Sequence, residues 1–268
     1  MIGASSVLAW VMFVGLMVSI GPAILAIPSG PPLTTPIVAG IVVVGLSYNV
    51  GLLLAYLALS IGRVSIVTPI TATEGAVAAL ISVALGEHLG APTAVILAVI
   101  VVGILLAAYE RSADPPASRV NWDPSTARRT VVLAILASLA FSVGLVVSAR
   151  LGETVPISWI IAGARAVGVG LIFLPLLVRG RLRLTRQAIP FVLVSGVLEA
   201  AGTALYVTGA QEGIAATAVL SSQFAPIAAI GAYLLFGERL ARVQLLGVVI
   251  LIAGVTTLAF VRATLPGS

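Results

Sequence analysis

"LFGERL" (Leu235–Leu240) closes an apolar run near the end of the chain, and "ALGEHL" (Ala84–Leu89) closes another 151 residues earlier. Sliding the 268-residue sequence along itself by that offset places Gly45 on Gly196, Gly51 on Gly202, Gly62 on Gly213, Gly86 on Gly237 and Gly103 on Gly254. Glu87 falls on Glu238 and Leu89 on Leu240. Glycine is about a tenth of the chain, so chance supplies roughly one glycine match over such a window. Five in register, with the acidic residue among them, indicate an internal duplication.

Composition sets the environment in which the two copies fold. The chain is 60% hydrophobic and 9% charged, with a mean hydropathy of +1.21. A soluble domain of this size cannot cover its surface with so few polar groups, so the excess faces lipid. All 14 basic residues are arginine, and the net charge of +5 sits in short loops. No basic stretch is interleaved with aromatics that would stack on bases, so nucleic acid is not an expected partner. Cysteine is absent and His88 is the only histidine, which leaves no thiolate or imidazole cluster for a metal and no triad. No phosphate loop or dinucleotide fingerprint occurs either. The chain is therefore not expected to be an enzyme, and no cofactor is expected.

Nine apolar runs reach the length that crosses a bilayer, about 20 residues in helical form. They are Val7–Ile27, Ile37–Leu59, Ile66–Leu85, Pro92–Ala108, Val131–Ala149, Ile157–Val178, Ile189–Thr208, Ala215–Phe236 and Val243–Val261. The first lacks a basic leader and is too long for a signal peptide, so it reads as a span. Most connections are short and carry Gly or Pro, which makes successive helices antiparallel neighbours. The exception is the polar, proline-containing stretch Glu110–Thr130, where the duplication requires a junction. The expected organisation is a first repeat of four spans in residues 1–110, a linker in 111–130, and a second repeat of five spans in 131–262. Subtracting the offset puts the counterpart of Val131–Ala149 before Met1. An odd number of spans per ancestral unit inserts the two copies with opposite orientation, the plan of many secondary transporters.

The block "GERLARVQLLGVVILIAGV" (Gly237–Val255) follows a span with an internal proline, "SSQFAPIAAIGAYLL", and before that a span ending "ALYVTGAQEG". Together they resemble the EamA-like permeases of the drug/metabolite transporter superfamily, most clearly over Ile189–Val261 and less so over Ile37–Ala108. The resemblance implies an all-α integral membrane protein of ten spans, one more than the runs counted, and a cytoplasmic C-terminus. These are scaffold motifs, which speak to the fold and hardly to the substrate. The arginines argue for the other orientation. Arg63, Arg111, Arg119, Arg128, Arg129, Arg179, Arg181, Arg183, Arg186, Arg239 and Arg242 share one face, and only Arg150 and Arg262 fall on the other. The positive-inside rule makes the rich face cytoplasmic, with the N-terminus inside and the C-terminus outside.

Gly86-Glu87 and Gly237-Glu238 read as helix-hairpin connectors. Glycine ends a helix in the left-handed conformation, and the glutamate then lies near the positive end of the next span. Trp10 and Trp159 read as interfacial anchors. The chemistry is expected where the repeat breaks. Only Glu74, Arg165 and Glu199 are ionisable residues deep in spans, each costing on the order of 2.5–3.5 kcal/mol on insertion scales unless paired or hydrated. The repeat counterparts of the two glutamates are Ala225 and Tyr48. Ser195, Glu199, Thr203 and Tyr206 recur at helical spacing as one polar stripe. Thr71, Glu74 and Ser82, with Thr68 a turn earlier, form a second. Asn49 and Tyr56, seven apart, mark a third, and Ser221, Ser222 and Gln223 precede Pro226 in a fourth. Ser138 and Ser142 are a weaker case, because serines four apart often only back-bond or ease helix packing. Against these stand plainer readings: a structural Arg165–Glu199 ion pair, and a neutral Glu74 carboxyl bonded to a neighbouring helix.

The sequence thus points to a multi-pass permease of the cytoplasmic membrane that moves a small organic metabolite or drug by alternating access, with proton coupling through the glutamates. The expected site comprises Glu74, Glu199, Arg165, Asn49, Tyr56, Thr71, Thr203, Tyr206, Ser222 and Gln223. Burial disfavours a carboxylate while a nearby guanidinium favours it, and a coupled site needs the two to compete. Partners are a small-molecule substrate and membrane lipid, with homodimer formation left open. An uncoupled facilitator and a non-transporting scaffold or lipid-flipping subunit are the alternatives.

Overall fold

A computed structural model describes residues 4–62, 64–108, 124–223 and 242–264. The described residues are helical, with no strand among them. The helices are α1 (Ala4–Leu25), α2 (Thr35–Ile61), α3 (Val64–Thr71), α4 (Glu74–Ala84), α5 (Ala91–Ala108), α6 (Pro124–Gly152), α7 (Ile157–Gly168), α8 (Leu174–Val178), α9 (Ile189–Gly209), α10 (Ile214–Ser221) and α11 (Arg242–Thr264). A π-helical segment, Val169–Phe173, joins α7 to α8. Helices that are apolar on every side suit lipid, because each satisfies its own backbone hydrogen bonds.

Six helical segments among the described residues are long and apolar enough to cross a membrane: Ser5–Leu25, Thr35–Ile61, Ile66–Ala84, Ser125–Gly152, Ile157–Val178 and Ile189–Glu212. Two more apolar helices, Ala91–Ala107 and Arg242–Leu258, are shorter. Six is fewer than the nine runs counted in the sequence. Of the expected span Ala215–Phe236 only the part up to Gln223 is described. Pro226, Gly237, Glu238 and Arg239 lie outside the described residues, as does the linker up to Asp123. Helix α6 begins at Pro124, seven residues before the expected Val131, with proline at a first position that needs no donor.

Two compact units divide the chain, and each draws on both sequence halves. One comprises Met1–Val50 and Val143–Glu212. Within it α1 and α7 run antiparallel: Gly168 lies against Met12, Gly15 against Arg165, and the Trp159 indole N–H donates to the Ala23 carbonyl at 2.9 Å. Trp159 is therefore a stitch between two helices. Trp10 packs edge-on against Phe13 and Phe173, with ring centroids 5.8 and 5.2 Å away, so its role includes an aromatic cluster and is not anchoring alone.

The other unit comprises Gly51–Ser142 and Gly213–Ser268. Its core of Ile100, Ile104, Leu251 and Leu258 is built where α5 meets α11. Small residues set that approach. A Cβ on Gly103 would stand 3.0 Å from the Leu251 nitrogen, one on Gly254 would stand 2.6 Å from Ile100 Cγ1, and one on Gly247 would overlap the Ala107 nitrogen. Close backbone contact of this kind is how membrane helices associate when lipid is as apolar as their side chains.

The expected span Ile66–Leu85 is present in this unit as Ile66–Ala84, with a turn inside it. Helix α3 stops at Thr71 and α4 restarts at Glu74, with a turn between them. Pro69 removes a backbone donor, and the Thr73 hydroxyl bonds the Ile70 carbonyl at 2.6 Å, competing with the helical ladder. Thr71, Glu74 and Ser82 are therefore not one stripe on one helix. At the other end of α4, Gly86 takes φ +100, and the Glu87 N–H reaches back to the Ser82 carbonyl at 3.0 Å, which closes the helix as glycine permits.

Candidate functional site

The ten residues singled out from the sequence fall into two groups of five, one in each unit. In the first unit α7 carries Arg165 and α9 carries Glu199, Thr203 and Tyr206, while Asn49 lies on α2. The Arg165 and Glu199 side chains form an ion pair, Nη1 to Oε1 at 2.9 Å, with relative exposures of 5% and 29%. The same nitrogen donates to the Met12 sulfur at 3.1 Å. Glycine makes the room: a Cβ on Gly15 would stand 3.2 Å from Arg165 Cδ, and one on Gly168 would stand 2.9 Å from Asn49 Oδ1. Asn49 is buried and gives its Nδ2 to the Gly45 carbonyl at 2.7 Å, while its Oδ1 accepts no hydrogen bond among the described residues. Thr203 bonds the Glu199 carbonyl at 2.9 Å, and Tyr206 is buried one turn further along.

The free space between Asn49, Arg165 and Thr203 is about 10 Å³, about what a single water requires. That is room for a hydration site beside the ion pair and not for an organic solute. The plainer reading of Glu199 and Arg165 as partners is what the geometry provides. A guanidinium does not lose its proton in proteins, so Arg165 supplies a fixed countercharge.

In the second unit the helix break gathers the polar groups. Glu74 opens α4, half-buried, with no cation within ion-pair distance among the described residues. Its backbone carbonyl accepts the Ser142 hydroxyl at 2.8 Å, and Ser142 also reaches the Ser138 carbonyl at 2.7 Å. The Thr73 proton is committed to Ile70, so its oxygen accepts from Ser138 at 3.0 Å. These serines carry the break, a role their spacing alone understated. Ser222 is buried, bonds the Val219 carbonyl at 2.9 Å, and has its hydroxyl 2.5 Å from where a Cβ on Gly75 would be. Gln223 is half-buried, and its Nε2 has no partner among the described residues. Thr71 is buried and back-bonded to Val67 and Thr68. Tyr56 is 36% exposed, so it does not share the buried setting of Asn49 that a common stripe implied.

Glu87 also differs from its sequence reading. Its carboxylate does not serve the next helix in the chain. Both oxygens accept the Ala215 N–H, at 3.2 and 3.1 Å, at the start of α10. Two signals were invisible in the sequence: this capping across the two halves, and the π segment one turn beyond Arg165, a local widening that often accompanies functional sites.

The model of the EamA-like transporter family matches residues 128–260. Over that half the chain belongs to the EamA-like transporter family. The protein is accordingly a multi-pass membrane protein of a transporter family rather than an enzyme family. The EamA-like segment contains Arg165, Glu199, Thr203, Tyr206, Ser222 and Gln223, whereas Asn49, Tyr56, Thr71 and Glu74 precede it. Comparison with curated proteins returns no match. Eighteen chains of solved structures match. One of them, a crystal structure of a protein, is similar with a TM-score of 0.75 at 15% identity, over 99% of this chain and 91% of that one. At that identity the likeness concerns the fold.

Proposed function

We propose that this EamA-like protein is a proton-coupled secondary transporter that carries a small organic metabolite or drug across the cytoplasmic membrane by alternating access of two inverted repeats, residues 1–110 and 131–262. The observation that carries the coupling is the contrast between the two embedded glutamates. Glu199 is tied to Arg165 at 2.9 Å, whereas Glu74 stands at a helix break with no cation beside it among the described residues. A carboxyl without a fixed countercharge is the one whose proton a substrate can displace, so Glu74 carries the proton and Glu199 holds Arg165 in place. Thr73, Ser138 and Ser142 hold the break open, and Thr71, Ser222 and Gln223 belong to the same polar region.

The inverted plan is supported by which helices meet. Ile100 and Gly103 are the repeat counterparts of Leu251 and Gly254, and the contacts are reciprocal: Gly103 with Leu251, Gly254 with Ile100. That reciprocity on antiparallel helices is the pattern of a local two-fold axis. Helices α1 and α7, also repeat counterparts, are antiparallel as well.

The test is uptake into proteoliposomes, with the substrate found by screening amino acids, nucleosides and cationic dyes. Glu74→Gln is expected to lose accumulation driven by a pH gradient while keeping substrate exchange at equal pH. Gradient-driven accumulation persisting in both Glu74→Gln and Glu199→Gln would remove the coupling and leave an uncoupled facilitator.

A further inference from the structure

Between Glu153 and Glu199 the chain has no acidic residue, yet the eight residues from Arg179 to Arg186 carry four arginines. They form the connection from α8 to α9, which joins two of the segments apolar enough to span the membrane, Ile157–Val178 and Ile189–Glu212. A short loop between two spans sits at the membrane surface. Its neighbours are exposed apolar residues, Leu177 and Val178 before it and Ile189 and Phe191 after it, so the arginines begin where the hydrocarbon ends.

The backbone of this loop is built. Gly180 takes φ +62, and the Arg181 N–H returns to the Leu176 carbonyl at 2.9 Å, which ends α8 and turns the chain. Ser6 on α1 then pins the next stretch: its hydroxyl donates to the Arg181 carbonyl at 3.5 Å and accepts the Arg183 N–H at 3.3 Å. In the non-helical run after Gly180, Arg181 and Arg183 alternate with Leu182 and Leu184. All four arginines are exposed, and none meets a carboxylate within ion-pair distance among the described residues.

We infer that the α8–α9 loop is a binding surface for the headgroups of anionic phospholipids. The recognised chemistry is the phosphodiester of a lipid held at the interface. Guanidinium groups engage phosphate oxygens through paired N–H donors, the pinned backbone presents them together, and the exposed apolar residues that flank the loop, Val178 and Phe191 among them, meet the acyl region. Each basic residue near an anionic leaflet is worth about fivefold in lipid affinity. The inference stands apart from the transport reading, since it rests on the loop and not on the embedded glutamates.

The test is electron paramagnetic resonance of spin-labelled phosphatidylglycerol and spin-labelled phosphatidylcholine around the full-length protein in phosphatidylcholine bilayers. The wild type is expected to restrict phosphatidylglycerol preferentially. The quadruple variant R179Q/R181Q/R183Q/R186Q is expected to treat the two lipids alike, each single Arg→Gln to lower the preference by up to about fivefold, and the quadruple Arg→Lys variant to retain it in part. A control variant neutralising Arg128, Arg129, Arg150 and Arg242 keeps the preference if the loop is the surface. Inorganic phosphate at constant ionic strength leaves the preference intact if the ligand is a lipid. The inference is overturned if the loop variant keeps its preference, if the control loses it equally, or if free phosphate abolishes it. Should the quadruple variant not insert, as judged by circular dichroism, the four single variants decide, and unchanged preference in all four overturns the inference.

Discussion

Removing the Glu87 carboxylate should loosen a helix that lies 128 residues away in the chain. Helix α10 starts at Ile214 behind Gly213, which has no side chain to receive the free N–H groups of a first turn. Glu87 takes the place of a capping side chain, with both oxygens on the Ala215 N–H, the second helical position that an ordinary cap serves. A cap is worth about 1 kcal/mol, and a negative charge at a helix N-terminus adds roughly 0.3–1 kcal/mol. Glu87→Ala should thus cost about 1–2 kcal/mol. At roughly 2–4 °C per kcal/mol for a chain somewhat under this size, the melting temperature in detergent should fall by several degrees. Glu87→Gln keeps an acceptor and loses only the charge, so it should fall by less than half as much. His88→Ala, one residue on and exposed, is the control and should not move. Hydrogen exchange read by mass spectrometry localises the effect: the first amides of α10 should exchange faster in Glu87→Ala, with α5 unchanged. If Glu87→Ala melts with the wild type and α10 keeps its protection, the capping argument is wrong and the glutamate is only a loop residue.

Three further outcomes follow from packing and charge. Gly247→Ala places a Cβ against the Ala107 backbone of α5 and should prevent the α5–α11 contact, read as loss of monodisperse protein. Gly202→Ala on α9, where a Cβ meets nothing within 4 Å, should be neutral or stabilising by about 0.5–1 kcal/mol in the same thermal assay. For the ion pair, Glu199→Leu should cost more than Arg165→Met, because it strands the more buried charge. Breaking a buried pair costs about 3–5 kcal/mol, and the 29% exposure of Glu199 puts this one at or below the low end. The double substitution should recover most of the loss, and equal costs for the two single variants would contradict the burial asymmetry.

Much of the fold was legible in the sequence because the relevant signals are local. Run length and the absence of charge identify membrane helices, since the bilayer imposes a length and forbids unpaired backbone. Of the five glycines that share the 151-residue register, Gly103 and Gly254 both lie where α5 and α11 touch. The three embedded ionisable residues stood out for the same local reason, their insertion cost. Run length found the span Ile66–Ala84 but not the turn inside it, because the serines that bond that turn, Ser138 and Ser142, come from α6. Local periodicity failed for Tyr56, whose spacing from Asn49 matched while its surroundings did not.

Partner choice was decided only by tertiary structure. The sequence by itself determined that Glu74, Glu199 and Arg165 would be costly in lipid, and that Gly86-Glu87 would end a helix. It did not determine that Arg165 would meet Glu199, that Glu74 would be left without a cation among the described residues, or that Glu87 would cap α10. The physical reason is range. Propensity, run length and desolvation act through a residue's own neighbours in the chain, whereas a countercharge or a capping acceptor is supplied by whichever distant helix the packing of small residues brings alongside.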